Sequence, residues 1–158
     1  MYVDSQLEFS DSQAVTSTAI SSNVVDLLAS TGGGTALAGG NTLLDVGAGQ
    51  NMYLVVSTAV ACTDTSSDAT LAITLETDTA VGLGSSTVVA STGTLAFATY
   101  ASAGTQVWVL KLPPFLYKRY IGLRYTIASG PLTAGAFDAY LTTDLQLNRI
   151  LKSGFTVQ

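Results

Sequence analysis

The sequence predicts an all-β protein, a jelly-roll sandwich of two antiparallel sheets with about eight strands. Short runs rich in Val, Ile, Thr and Tyr recur along the chain, and Gly, Ser, Asp and Pro separate them about every 8 to 12 residues. No segment shows the apolar period of about 3.6 residues that is typical of a helix. An immunoglobulin-like sandwich is the alternative with a similar number of strands. The length of 158 residues is that of one domain.

The chain divides into an extended N-terminal arm over 1–12, the sandwich over 13–146 and a tail over 147–158. Within the sandwich, two short strand-like runs at Ala14–Ile20 and Asn23–Leu28 predict a strand pair or a bent strand.

Residues 30–50 contain seven glycines, so we expect a long loop there. The next strand, Asn51–Ala61, is apolar on both faces, which favours a central position in a sheet. Ala69–Thr77 alternates, with Leu71, Ile73 and Leu75 inward and Glu76 outward. Further strands have the same apolar alternation or β-branched composition: Thr87–Ala90, Gln106–Leu112, Tyr120–Ile127 and Ala136–Leu145.

Composition limits the partners. The net charge is -5 and the sequence pI is about 4.2, so no large basic surface for nucleic acid is available. Charged residues make up 11% of the chain, below the usual share of about 25%. This scarcity has two explanations, a Thr/Ser-rich β surface or a surface that partners cover. The sequence contains neither a signal-peptide pattern nor an apolar run of membrane-spanning length, so we expect no membrane contact.

The sequence offers little for catalysis. It has no histidine and one cysteine, Cys62, which removes the Ser-His triad and most transition-metal sites. Cys62 ends an apolar run and is expected to be a buried structural thiol. Two carboxylate pairs, Glu76 with Asp78 and Asp64 with Asp68, could form a glycosidase dyad or bind Ca²⁺, but solvated surface acids are the favoured interpretation. We therefore expect a protein that is not an enzyme and has no cofactor or metal.

The segment Gln106–Tyr125 concentrates bulk and positive charge. It holds the only Trp, Trp108, a Pro113-Pro114 pair that must end a strand, and four of the six basic residues. Its alternating apolar residues are expected in the core: Trp108, Leu110, Ile121 and Leu123. Its remaining aromatic and basic residues are candidates for a contact surface, since such residues form interface hot spots: Tyr117, Lys118, Arg119, Tyr120 and Arg124.

Five stretches are similar to one family. They are Asp4–Thr16, Met52–Val56, Leu112–Pro114, Lys118–Tyr125 and Gly130–Ala139. In this order they resemble the capsid cement, or decoration, proteins of tailed bacteriophages of the Bbp16 type. The glycine-rich 30–50 stretch is longer than the pattern of that family.

The resemblance implies a jelly-roll structural virion protein on the outer capsid surface, made in the host cytoplasm. It implies binding to an HK97-like major capsid protein, and self-association as a homodimer, with a trimer as the alternative. Contacts are expected from the arm, through Val3, Leu7 and Phe9, and from the Lys118–Arg124 corner. Another possibility is a carbohydrate- or receptor-binding β-sandwich on the virion surface. It would use three tyrosines as sugar platforms: Tyr100, Tyr117 and Tyr140.

Overall fold

The computed structural model describes residues 5–27 and 51–145, which form two packed antiparallel β-sheets. The strands are β1 (Glu8–Ala14), β2 (Ala19–Ile20), β3 (Val25–Asp26), β4 (Tyr53–Thr63), β5 (Thr70–Asp78), β6 (Thr87–Ala96), β7 (Gln106–Lys111), β8 (Tyr120–Ala128) and β9 (Ala134–Thr142). Two short helical segments accompany them, a 3-10 turn at Ser5–Leu7 and α1 at Phe97–Tyr100. Among the described residues, no helix has the length and apolar character needed to cross a bilayer.

The strand order is that of a jelly roll. One sheet has the order β1-β9-β4-β7, and the other has the order β2-β8-β5-β6, with β3 also paired to β8. Each strand in one sheet is therefore a sequence neighbour of the strand at the same position in the other sheet. This nested order defines a jelly roll, with β2 and β3 forming two pieces of one bent strand. The predicted fold class is confirmed, and so is the bent strand before residue 28.

The core lies between the sheets, where alternating strand residues meet. Leu71, Ile73 and Leu75 of β5 are fully buried, as their alternation predicts. Tyr125 of β8 stacks on Phe137 of β9, with ring centroids 5.5 Å apart, and so joins the two sheets. Such aromatic pairs contribute about 0.5–1.5 kcal/mol beyond the area that they bury. The Ser10 and Tyr125 hydroxyls are 3.0 Å apart, so the buried phenol has a hydrogen-bond partner.

The Cys62 thiol is structural, as predicted. Its side chain is buried, and burial raises its pKa to about 11. A Cβ built on Gly135 would lie 2.6 Å from the Cys62 sulfur, so only glycine fits beside it. The same glycine has a φ of +150°, which other residues rarely adopt.

The N-terminal boundary differs from the prediction. β1 begins at Glu8 and pairs with β9, so residues 8–12 belong to the sandwich and not to an arm. The polar residues of β1 kept the sequence from predicting a strand here. They are tolerated because the strand lies at a sheet edge, where one side is solvated. The glycine-rich stretch 30–50, the tail 147–158 and Val3 lie outside the described residues.

The edge strands are irregular. β6 runs on to Ala96, beyond the predicted end at Ala90, and its register with β5 shifts twice. One shift falls at Gly93, where φ is +68°, and there the Thr92 hydroxyl accepts a hydrogen bond from the Ile73 amide at 3.0 Å. Register shifts also interrupt β1 against β9 and β7 against β4. The sequence hid the length of β6 because bulges break its alternation.

Candidate functional site

The corner loop, residues 112–119, connects β7 to β8 at one end of the sandwich. At its start, the Leu112 amide donates to the Met52 carbonyl at 2.8 Å. At its end, the Lys118 amide donates to the Thr77 hydroxyl at 2.8 Å. The loop is therefore hydrogen-bonded to neighbouring strands at both ends, and the fixed φ of its two prolines limits its freedom further.

Tyr117 holds the middle of the corner loop. Its side chain is buried, and its hydroxyl donates to the Pro113 carbonyl at 2.8 Å. Its ring meets Phe115 edge-to-face, with centroids 5.6 Å apart. The sequence-based assignment of Tyr117 to an exposed contact surface is wrong, because its side chain is buried and its hydroxyl is hydrogen-bonded within the loop. The backbone carbonyl that receives its hydroxyl cannot be read from residue types.

Leu116 and Phe115 form the exposed tip of the corner loop. The Leu116 side chain is 93% exposed and Phe115 is 40% exposed. Leu116 is the most exposed of the large apolar residues described. Neither residue is among the contact residues that the sequence predicted. Two bulky apolar residues directly after Pro-Pro, outside any strand alternation, are the signal that could have revealed them.

Arg119 lies on the surface, but its charge is paired. Its guanidinium makes a bidentate contact with Asp26, with Nε–Oδ1 at 3.0 Å and Nη2–Oδ2 at 2.8 Å. It also lies over the Tyr120 ring, 4.9 Å from the centroid. The hydrogen bond with Asp26 raises the Arg119 pKa. Arg119 and the half-buried Tyr120 thus remain accessible for contact, with the positive charge largely neutralised.

Arg124 is a structural residue, which corrects its assignment to a contact surface. Its Nε donates to Glu76 Oε1 at 2.9 Å, and its Nη2 donates to the Leu83 carbonyl at 2.8 Å. Glu76, predicted to face solvent, is buried instead. The outward side of β5 is covered at this point by the loop 79–86, whose Ser86 hydroxyl donates to Glu76 Oε2 at 2.6 Å.

Lys118 is the remaining cation of the corner. Among the described residues it makes no salt bridge, although its charge helps to lower the pKa of Asp78. The predicted positive corner is therefore reduced to one half-exposed lysine beside two neutralised arginines. Its dominant surface feature is apolar.

The N-terminal candidates separate in the structure. Phe9 is fully buried in the core, so its predicted surface role is wrong. Leu7 is partly buried and packs against the same core. A sequence of alternating polar and apolar residues does not distinguish an edge strand from a free extended arm.

The carboxylates of β5 serve the fold. Burial by itself raises the pKa of Glu76, but hydrogen bonds from Arg124 and from two hydroxyls outweigh it and lower the pKa overall. Asp78 accepts the Ser85 amide at 2.9 Å and the Thr79 amide at 2.6 Å, and the Ser85 amide is the main cause of its lowered pKa. Lowered values do not suit the general acid of a glycosidase. Within residues 5–27 and 51–145 no cluster of three metal-binding side chains occurs.

The proposed sugar platforms are mostly internal. Tyr100 is fully buried and donates its hydroxyl to the Ala69 carbonyl at 3.0 Å, and Tyr117 is buried as described above. Tyr140 is half-buried on β9. Two of the three tyrosines therefore cannot present a ring face to a sugar.

These features describe a jelly-roll protein whose corner loop presents an apolar tip and whose β5 carboxylates are engaged in structure. The model of the Bbp16 family matches residues 9–141, which span the sandwich from β1 to β9. The chain belongs to the Bbp16 family, which is phage-related. No curated protein matches the chain.

Proposed function

We propose that this protein is a capsid cement, or decoration, protein. It binds the outer surface of an icosahedral phage head and stabilises the contacts between subunits of an HK97-like major capsid protein. The observation that carries this proposal is the match to the phage-related Bbp16 family over residues 9–141. The site geometry agrees with a binding role, because Glu76 and Asp78 are occupied by structural hydrogen bonds and the corner loop presents an apolar tip.

The mechanism is mechanical and not catalytic. A protein that touches several fixed subunits gains avidity, because after one contact forms the others become intramolecular. Separating neighbouring subunits then requires these contacts to break as well. A chain with only 11% charged residues suits this role, since interface cores are poor in charge. No cofactor, nucleic acid or membrane takes part in this mechanism.

Self-association adds to avidity on the lattice. We infer a homodimer, with a trimer as the alternative, since each added copy raises the number of linked contacts. The protein would be made in the host cytoplasm and would join the head from outside.

The test uses phage heads that lack this protein. The purified chain is mixed with these heads and sedimented, and the heads are then heated while released DNA is measured. Cement function predicts saturable co-sedimentation and a higher temperature of DNA release. Heads of an unrelated phage are the control. Absence of saturable binding to its own heads would refute the proposal.

A further inference from the structure

The tip of the corner loop has the properties of a preformed anchor. Leu116 is 93% exposed, whereas the next most exposed large apolar residue described, Val81, is 60% exposed. Single exposed apolar residues are common on protein surfaces. The distinctive point here is that neighbouring hydrogen bonds fix the chain around Leu116.

Packing and hydrogen bonds hold the residues on both sides of Leu116 in place. Phe115 packs on the Tyr117 ring, and the Tyr117 amide donates to the Phe115 carbonyl at 2.9 Å. The buried Tyr117 also donates its hydroxyl to Pro113. A loop backbone held in this way loses little conformational freedom on binding, and such preorganisation raises affinity.

The shape and charge of the tip select the partner. A two-fold dimer through this loop would place the same patch on both copies. If the two-fold axis passed through the tip, one protruding tip would oppose another and one Lys118 would oppose another, which is unfavourable for both shape and charge. A concave apolar site on a different chain complements the tip, and a carboxylate at its rim would pair with Lys118.

We propose that Leu116 is the anchor of the capsid contact, inserted into an apolar pocket of a shell subunit that has a carboxylate beside it. Phe115 contacts the entrance of that pocket. Lys118 pairs with the carboxylate and so sets the orientation of the tip. This inference rests on the proposed function, since it takes the shell subunit as the partner.

The test compares matched variants on heads that lack the protein. Leu116→Ser removes the anchor at an exposed position, and Leu116→Met keeps an apolar side chain of similar volume. Val60→Ser is the control, since Val60 is 51% exposed and lies seven residues along β4 from Tyr53, about 23 Å from the corner loop end. Equal urea midpoints for all variants establish that each one is folded.

We expect Leu116→Ser to weaken binding to heads at least about tenfold, as loss of a buried anchor does. Leu116→Met and Val60→Ser are expected to bind within about twofold of wild type. If wild type binds and Leu116→Ser binds equally well, the anchor is refuted while cement function stands. If wild type itself fails to bind, the proposed function fails instead. Light scattering separates the remaining case, because a change of oligomeric state in Leu116→Ser would show that the tip meets a second copy and would overturn the assignment to a shell subunit.

Discussion

The guanidinium of Arg124 on β8 and the carboxylate of Glu76 on β5 form a bidentate ion pair. The Nε–Oε1 distance is 2.9 Å and the Nη2–Oε2 distance is 3.0 Å. The glutamate side chain is 4% exposed and the arginine side chain is 31% exposed. This pair attaches the loop 79–86 to the sheet, because Arg124 also holds the Leu83 carbonyl.

Arg124→Met is expected to lower the free energy of unfolding by about 2 to 3 kcal/mol, because it leaves a buried carboxylate unpaired. Arg119→Met is the matched control at the exposed pair with Asp26, where both side chains are at least 40% exposed. Its cost is expected to stay below about 1 kcal/mol. Urea unfolding followed by circular dichroism measures both. Equal losses for the two variants would contradict a structural role for the Glu76 pair.

Acid is expected to destabilise the fold. Glu76, Asp78 and Asp64 have lowered pKa values, and for Asp64 the main cause is the hydrogen bond from the Ala69 amide. A lowered pKa in the folded state means that the unfolded chain binds more protons as the pH falls. The stabilising contribution is therefore complete above the unfolded pKa values of about 4 and is lost as the pH falls through the folded values. Urea midpoints measured from pH 7 to pH 2.5 test this trend.

Glu76→Gln is the matched variant in the acid titration. It is expected to be less stable at neutral pH and to show a smaller decrease on acidification. A wild-type midpoint that stays constant down to pH 2.5 would show that these carboxylates do not contribute.

Gly122→Ala is expected to destabilise the sandwich by about 1 to 3 kcal/mol through overpacking. An added Cβ would lie 2.7 Å from the Leu83 side chain, which is buried, and 3.3 Å from Val24. Gly82→Ala is the control, since nothing lies within 4 Å of its Cβ position. Thermal unfolding of both variants checks the difference. If the Gly122→Ala protein is as stable as the Gly82→Ala protein, the Leu83 side chain can move away at little cost in free energy.

Tyr117→Phe is expected to loosen the corner loop and to lower stability by about 1 kcal/mol, the usual net value of one hydrogen bond. Its clearest signature is faster hydrogen exchange at the Lys118 amide, which donates to Thr77. Tyr120→Phe is the control, because the Tyr120 hydroxyl has no hydrogen-bond partner among the described residues. If the Lys118 amide exchanges at the same rate in Tyr117→Phe, the Tyr117 hydroxyl does not hold the loop in place.

The jelly roll was predictable where strands alternate without interruption. The inward residues of β8 and β9, such as Leu123 and Phe137, are buried as their spacing predicts. Trp108 on edge strand β7 packs against the core but stays half-buried, because one side of an edge strand lacks a neighbouring strand. The alternation of apolar and polar residues along a strand does not show whether that strand lies at the edge or in the centre of its sheet.

The site was less predictable than the fold. Residue types identified the corner but assigned its parts wrongly, since burial there depends on long-range partners. Asp26 lies 93 positions from Arg119, and Glu76 lies 48 positions from Arg124. The two tip residues escaped notice because bulky apolar residues are ordinarily expected inside. Only the path of the loop shows that Leu116 points away from the core.

The irregular strand edges have a consequence for the proposed function, in which many copies would gather on one capsid. A regular exposed edge invites pairing with another chain and leads to aggregation. Here the edge strands β1, β6 and β7 each carry at least one register shift against the neighbouring strand. Crowded copies are therefore expected not to join edge to edge into continuous sheets or amyloid-like fibres.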